Sequence, residues 1–182
     1  MVIAKKQVCQ PAFCYIKCPI HRYTFSVKQI RNWLEENCRG LTLNLFAGRT
    51  RLSIHEVRND IDPSAPADYH LDALEFVTQW KGPKFDCIIL DPPYSLRKSM
   101  EFYEGRTVSA FQRLKKLLPG ILNKGGRIIT FGYHSSVMGK SRGFHIDTIA
   151  LFSHGGAIHD TIATVEIYLP IDNDEGFPLI IK

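Results

Sequence analysis

The sequence of 182 residues lacks any continuous run of about 20 apolar residues, the length that a membrane-spanning helix needs. Its N-terminus also lacks the basic-then-apolar order of a secretory signal, so we expect a cytoplasmic protein that has no membrane partner. Its five cysteines, three of them crowded near the N-terminus, suggest no even-numbered disulfide framework. The sequence also lacks internal repeats and low-complexity segments.

What the sequence does contain is enough apolar material for one core, together with a modest excess of positive charge. With 45% apolar residues, the chain falls in the size range of a single domain. Lys and Arg outnumber Asp and Glu by 23 to 18, and the net charge of +5 favours polyanionic partners without requiring them. Composition therefore admits nucleic acid as a partner but does not establish it.

The N-terminal segment shows no clear period of 2 or 3.6, so we predict an irregular extension over residues 1–24 and one domain over residues 25–182. The extension contains Cys9, Cys14, Cys18 and His21. Four such ligands can close a tetrahedral zinc site, but the spacing lacks paired Cys-x-x-Cys knuckles. Free cysteines that pack as small apolar residues explain the pattern as well, so we assign no metal ligand.

Alternating strand and helix patterns follow, and they predict an α/β fold with a mostly parallel sheet. Helices are predicted at about 27–39 with an N-cap at Ser26, 73–80 and 108–118. Strands are predicted at about 41–48, 54–58, 68–72, 87–90, 127–132, 144–153 and 163–169. About five residues separate the first two strands, too few for a helical crossover, so we expect the first crossover helix to be missing or reduced. The last two strands are predicted to form an antiparallel pair.

Polar residues or glycines follow four successive predicted strands. They are Phe46-Ala47-Gly48, Asp60 with Asp62, Asp72, and Asp91-Pro92-Pro93-Tyr94. Ligands of open α/β sheets bind beyond the carboxyl ends of the strands, so residues at several successive strand ends are more informative than any one of them. This pattern predicts a ligand site at that edge of the sheet.

On these residues the chain resembles the class I S-adenosylmethionine-dependent methyltransferases, and within them the nucleic-acid amino-methyltransferases with an Asp/Asn-Pro-Pro-Tyr/Phe motif. The resemblance covers about residues 41–132 and implies a Rossmann-like methyltransferase fold with S-adenosylmethionine as the cofactor. The matching cofactor positions are Phe46, Ala47, Gly48, Asp60, Asp72 and Ala73. The resemblance implies that Phe46 and Gly48 lie beside the cofactor's methionine part, that Asp60 binds its ribose hydroxyls, and that Asp72 and Ala73 bind its adenine. One departure is Thr50, which replaces the second glycine of the family loop.

The Asp91-Pro92-Pro93-Tyr94 segment suits methyl transfer to an aromatic amine. The nitrogen lone pair of adenine or cytosine is conjugated into the ring, so the amine is a poor nucleophile until its pyramidal form is favoured. We predict that the Asp91 carboxylate and the Pro92 carbonyl accept hydrogen bonds from the amine, and that the two prolines hold these acceptors rigid. Tyr94 offers a face on which an extruded base can stack. In the alternative interpretation, Pro-Pro merely ends a buried strand and Tyr94 packs in the core.

These predictions lead to a methyltransferase for the exocyclic amine of a nucleic-acid base, with N6-adenine or N4-cytosine in DNA preferred. The small size favours weak sequence specificity, a protein partner that supplies target recognition, or a structured RNA target. An RNA methyltransferase for the N2 amine of guanine or the N6 amine of adenine stays open. So does a non-catalytic binding subunit, which the replaced glycine motivates. Arg49 and Arg51 fit contact with the cofactor carboxylate or with a nucleic-acid phosphate as well as they fit solvated surface charge. The basic residues within 95–99 and 140–143 fit phosphate contacts and solvated surface charge equally well.

Overall fold

A mixed sheet organises the chain, and the computed structural model describes residues 10–92, 110–135, 137–156 and 159–170. Its strands are β1 (Ala12–Lys17), β2 (Thr42–Asn44), β3 (Glu56–Arg58), β4 (Phe85–Leu90), β5 (Leu122–Gly132), β6 (Phe144–Ser153) and β7 (Thr161–Tyr168). They lie in the order β1-β6-β7-β5-β4-β2-β3. β7 runs antiparallel to β5 and β6, and the other neighbouring strands are parallel. The predicted mostly parallel sheet with an antiparallel C-terminal pair is thereby confirmed.

Helices cover both faces of this sheet. They are α1 (Lys28–Asn37), α2 (Ala73–Gln79) and α3 (Ala110–Leu117), with short 3₁₀ turns at Thr24–Ser26, Leu118–Ile121 and Lys140–Arg142. α1 buries Trp33 edge-on against Phe131 and Phe152 of the sheet, with ring centroids 6.2 and 5.6 Å apart. α2 and α3 bury Phe76 and Phe111 in the core on the opposite face. In the described part of the chain, no helix is long and apolar enough to cross a membrane.

β4 lies between the two cores, which explains its continuous apolar sequence. Cys87 and Ile89 belong to the core beneath α1, whereas Ile88 and Leu90 belong to the core beneath α2 and α3. All four are fully buried, as is typical of a parallel strand with helices on both faces. The segment that follows β4 therefore begins from a firmly fixed end.

The connection between β2 and β3 is short and irregular. Residues 45–55 are all described, and they form turns and bends rather than a helix. The prediction that the first crossover helix is missing is confirmed, although β2 and β3 still pair in parallel. The loop that leaves β2 must therefore obtain its backbone partners from elsewhere.

The prediction that residues 1–24 are irregular is wrong for Ala12–Lys17, which form β1 at the edge of the sheet. β1 pairs in parallel with β6, with Ala12 opposite Thr148. Its Cys14 and Ile16 pack against the core beneath α1. The N-terminal segment is therefore anchored to the sheet, while the predicted domain boundary at residues 24 and 25 stays a prediction.

Two further local predictions are wrong. The strand predicted at 68–72 is reduced to a single bridge between Asn59 and Tyr69, and Asp68 uses its carboxylate to accept the Arg58 backbone N–H at 2.8 Å. Ser26 does not cap α1, because Val27 occupies the N-cap position without a side-chain bond. The Ser26 hydroxyl instead lies 3.2 Å from the Thr50 hydroxyl.

Candidate active site

A cleft of about 580 Å³ opens beyond the carboxyl ends of the parallel strands. Every described residue of the predicted site lines it, namely Phe46, Ala47, Gly48, Asp60, Asp72, Ala73, Asp91 and Pro92. The structure thus brings together residues from separate segments that follow β2, β3 and β4 or begin α2. Pro93 and Tyr94 lie outside the described residues.

The loop after β2 is held open toward this cleft. Gly48 has a φ of 57°, a left-handed conformation that favours glycine, and a β-carbon added there would meet no atom within 4 Å. The Gly48 N–H donates to Asp60 Oδ2 at 2.7 Å, and Asp60 Oδ1 accepts the Asp62 N–H at 2.9 Å. Asp60 therefore fixes the loop and the turn after β3 while it lines the cleft.

A buried arginine that the sequence analysis missed holds the same loop from beneath. Arg58 is fully buried, and its five N–H donors make five hydrogen bonds. The acceptors are Pro66 O (2.8 Å), Thr50 O (2.9 Å), Glu56 Oε1 (2.6 Å), Ala47 O (3.2 Å) and Gly48 O (3.0 Å). Buried carbonyls need partners, and this guanidinium supplies them to a loop that has no helix of its own.

Glu56 completes the network around Arg58. Besides the guanidinium, its Oε1 accepts the Leu52 N–H at 3.2 Å, and its Oε2 accepts the Asn44 amide at 3.0 Å. Its side chain is only 6% exposed. The sequence signal for this network was the pair of opposite charges at Glu56 and Arg58. Residues two apart in a strand point to the same face, so the two side chains can pair.

Thr50, the residue that departs from the family loop, is integrated into this arrangement. Its carbonyl accepts a bond from Arg58, and its hydroxyl contacts Ser26 at the entrance to α1. The loop therefore accommodates a side chain at this position and uses it to contact the segment before α1.

Asp72 and Asn59 fix the far wall of the cleft. Asp72 is the N-cap of α2, and its Oδ1 accepts the N–H groups of Leu74 (2.9 Å) and Glu75 (3.3 Å). Asn59 is buried, donates to the carbonyls of Leu45 and Leu71, and accepts the Leu71 N–H. This amide ties the ends of β2 and β3 to the segment that carries Asp72 and Ala73.

Two of the basic residues for which the sequence left phosphate contact open bind other parts of this chain. Arg49 donates to the Ser64 hydroxyl at 2.8 Å and lies 3.9 Å from Asp62. The Ser64 hydroxyl and N–H, and to a smaller extent Arg49, hold the pKa of Asp62 below its usual value. Arg142 donates to the Met138 carbonyl at 2.7 Å and to Gln112 at 3.3 Å. These contacts favour a structural role for both arginines, and residues 95–99 lie outside the described residues.

A second half of the cleft, not foreseen from the sequence, is rich in rings. It is lined by His21, Tyr23, Tyr133, His154 and His159. The first two follow β1, Tyr133 follows β5, and the last two flank the turn between β6 and β7. This half was not predicted, because the N-terminal residues were treated as an irregular extension and no role was assigned to His154 or His159.

Cys18 contacts a histidine of this second half. Its sulfur lies 3.6 Å from His154 Nδ1, and the His154 Nε2 lies 3.1 Å from the Thr161 hydroxyl. Burial raises the pKa of the Cys18 thiol, and the Asp160 carboxylate adds to that effect. Within the described ranges, no three Cys, His, Asp or Glu side chains are grouped as a metal site would require. Cys9 lies outside those ranges.

Comparison with known proteins supports the fold. No protein-family model and no curated protein sequence matches the chain. TrmN from Thermus thermophilus superposes with a TM-score of 0.53 at 16% identity, over 78% of this chain and 48% of TrmN. The N-methyltransferase NodS from Bradyrhizobium japonicum superposes with a TM-score of 0.52 at 9% identity, over 75% of this chain and 89% of NodS. The chain spans about half the length of TrmN, and at these identities the likeness shows the fold alone, a Rossmann-like methyltransferase fold.

Proposed function

We propose that the chain is an S-adenosylmethionine-dependent methyltransferase that acts on the exocyclic amine of a nucleic-acid base. The observation that carries this proposal is the cleft, because the cofactor-type positions and Asp91-Pro92 line the same space. Residues that the sequence scatters over about 45 positions converge at the edge where ligands of such sheets bind. N6-adenine or N4-cytosine in DNA is the preferred target, and an RNA base amine is the alternative.

The described residues fit the cofactor. The cleft volume of about 580 Å³ lies within the range of small-molecule sites. Asp60 and Asp72 provide carboxylate oxygens, which accept hydrogen bonds from hydroxyl and amino groups such as those of a ribose and an adenine. Gly48 leaves open space where any other residue would place a β-carbon. When bound, this cofactor supplies a methyl group attached to a positively charged sulfur.

Asp91 and Pro92 would position the amine. They follow directly on β4, whose last residues are fully buried, so their backbone begins from a fixed point. The Asp91 carboxylate and the Pro92 carbonyl accept hydrogen bonds from the two amine hydrogens, which turns the nitrogen lone pair out of conjugation. The carboxylate also stabilises the positive charge that develops on the nitrogen. The roles of Pro93 and Tyr94 rest on the motif alone.

The second candidate is a binding subunit of the same fold that has lost catalysis. Its motivation was the glycine replaced by Thr50. The contacts of Thr50 with Ser26 and Arg58 favour the enzyme instead, because the loop includes this side chain in its hydrogen bonding and still leaves space beside Gly48. Calorimetric titration with S-adenosylmethionine separates the two candidates. The absence of binding at millimolar cofactor concentration would rule out the enzyme and support the binding subunit.

The activity test uses the chain with a labelled methyl donor and separate pools of DNA and RNA. Mass spectrometry of the recovered nucleosides then identifies the methylated base. Methyl groups confined to RNA would replace the preferred DNA target with the alternative, and methyl groups on neither polymer would refute the proposed function.

The space beside Gly48 gives a first prediction. Gly48→Ala is expected to raise the dissociation constant for S-adenosylmethionine about tenfold, because the new methyl group occupies the open side of the loop and the positive φ strains it. Calorimetry measures the change. Gly139→Ala is the matched control, because Gly139 has a φ of 80° with open space around its β-carbon position and does not line the cleft. Equal affinity in both variants would contradict cofactor contact at Gly48.

A further inference from the structure

Positive charge is concentrated in the N-terminal segment of the sequence. The first 34 residues contain six Lys or Arg and no Asp or Glu, whereas the rest of the chain contains 17 basic and 18 acidic residues. The net positive charge of the chain therefore lies entirely in this segment. A segment of one charge sign attracts a polyanion more strongly than scattered charges do.

Exposed aromatic rings accompany this charge on β1. The alternation of the strand directs Cys14 and Ile16 to the core and places Phe13, Tyr15 and Lys17 on the opposite face. Phe13 is 66% exposed and Tyr15 is 54% exposed. Contiguous exposed apolar surface marks interaction sites, and the i, i+2 spacing places these two neighbouring rings about 7 Å apart.

The chain leads from β1 into the cleft. β1 is parallel to β6, so it ends at the edge of the sheet where the cleft opens. Arg22 and Tyr23 follow and line the cleft, with the Arg22 guanidinium 5.5 Å from the centre of the Tyr23 ring. Rings and cations thus follow one another along the chain from the edge strand to the cleft.

We infer that these residues bind single-stranded nucleic acid and lead it into the cleft, an inference that rests on the proposed function. We call them the N-terminal strip, and it consists of Phe13, Tyr15, Lys17, Arg22 and Tyr23. Exposed rings stack on unpaired bases regardless of sequence, and the cations contact the phosphates between them. A duplex keeps its base faces covered, so the rings select a strand whose bases are unstacked.

The test measures fluorescence anisotropy of short labelled strands of DNA and RNA, and of the duplex of the same sequence, without cofactor. The double variant Phe13→Ala/Tyr15→Ala is expected to raise the dissociation constant for single strands at least about tenfold. Leu117→Ala is the matched control, because Leu117 is a 41% exposed apolar residue on α3, and this variant should bind as the unmodified chain does. Melting temperatures verify that all variants remain folded.

Two more variants separate stacking and charge. Phe13→Leu/Tyr15→Leu keeps apolar area but removes the flat rings, so it should bind as weakly as the double alanine variant. Lys17→Ala/Arg22→Ala should reduce the slope of log affinity against log salt by about 0.7 for each phosphate that the chain no longer neutralises. Full binding by the leucine variant would overturn base stacking, and an unchanged salt slope would overturn the binding of phosphates by these two cations.

Three other outcomes would overturn the inference that the N-terminal strip binds single-stranded nucleic acid. They are unchanged single-strand binding by the double alanine variant, duplex binding as tight as single-strand binding, and a dimer that dissociates when the two rings are removed. The last result would make the strip an interface between two copies. The binding assay needs neither cofactor nor turnover, so it tests the strip separately from catalysis. If strand binding depends on the two rings but the chain transfers no methyl group, the proposed function is refuted and the strip stands. Methyl transfer together with strand binding that does not depend on the two rings would support the proposed function and overturn the strip.

Discussion

Asp91→Ala is expected to lower the rate constant of methyl transfer by at least about 10²–10³-fold, the scale seen when one positioned hydrogen-bonding group is removed from an active site. The variant loses the carboxylate that orients the amine and stabilises the charge on its nitrogen. The role given to Asp91 acts on the amine in the transition state and not on the cofactor, so the affinity for S-adenosylmethionine should stay within about twofold. Labelled methyl transfer at saturating substrate measures the rate constant, and calorimetry measures the affinity.

Asp91→Asn is the matched control for this prediction. Asparagine keeps one oxygen acceptor at nearly the same position, and the motif that this chain resembles has either residue there. We therefore expect Asp91→Asn to retain more activity than Asp91→Ala. A methylated nucleoside that persists unchanged with Asp91→Ala would refute the role given to Asp91. Equal loss in both variants would show that the negative charge, rather than an oxygen acceptor, is required.

Arg58→Met is expected to lower the free energy of unfolding by about 3–5 kcal/mol, the usual cost of removing one partner of a buried ion pair. Glu56 would remain as a buried charge without its guanidinium, and the carbonyls of Ala47, Gly48 and Thr50 would lose their donor. Chemical denaturation measures the loss. Because these carbonyls belong to the cofactor loop, the affinity for S-adenosylmethionine should fall as well.

Three further variants show whether the loss of stability in Arg58→Met comes from the broken ion pair and the lost hydrogen bonds. Arg51→Met changes an exposed arginine of the same loop and should leave stability almost unchanged. Arg58→Lys keeps the charge but has three donors in place of five, so its loss should be smaller than that of Arg58→Met. Glu56→Leu/Arg58→Met buries no lone charge and should recover part of the stability. A loss below about 1 kcal/mol in Arg58→Met would show that the network does not hold the loop.

The elements that the sequence predicted well are those whose periodicity follows from burial. β4 is buried on both faces and has a continuous apolar sequence, whereas β6 alternates because mainly one of its faces is buried. β7 was predicted from its run of strand-forming residues, and α1 from apolar residues that lie on one helix face. Gly48, Asp60 and Asp91 were predicted as site residues because each follows a strand that the patterns had located, whereas Asp72 lines the cleft as the N-cap of α2, since the strand predicted before it does not form. Their convergence in one cleft follows from the parallel arrangement of the strands.

The elements that the sequence did not reveal depend on distant or unusual partners. β1 exposes Phe13 and Tyr15 and turns smaller apolar residues inward, so no polar-apolar alternation marks it as a strand. The partners of Arg58 are mainly backbone carbonyls, which have no sequence signature. The ring-rich half of the cleft depends on β1, and its residues could not be brought together until the position of that strand was known.

The pairing of β1 with β6 joins two strands that are synthesised far apart in time. Ala12 pairs with Thr148, which a ribosome adds 136 residues later, and at about 5–20 residues per second the strand waits about 7–27 s for its partner. During that interval an edge with two aromatic side chains has no sheet to join. Contacts between such distant positions also form slowly in refolding, because a large loop must close first. We therefore expect the wall of the cleft that carries His21 and Tyr23 to form late in folding.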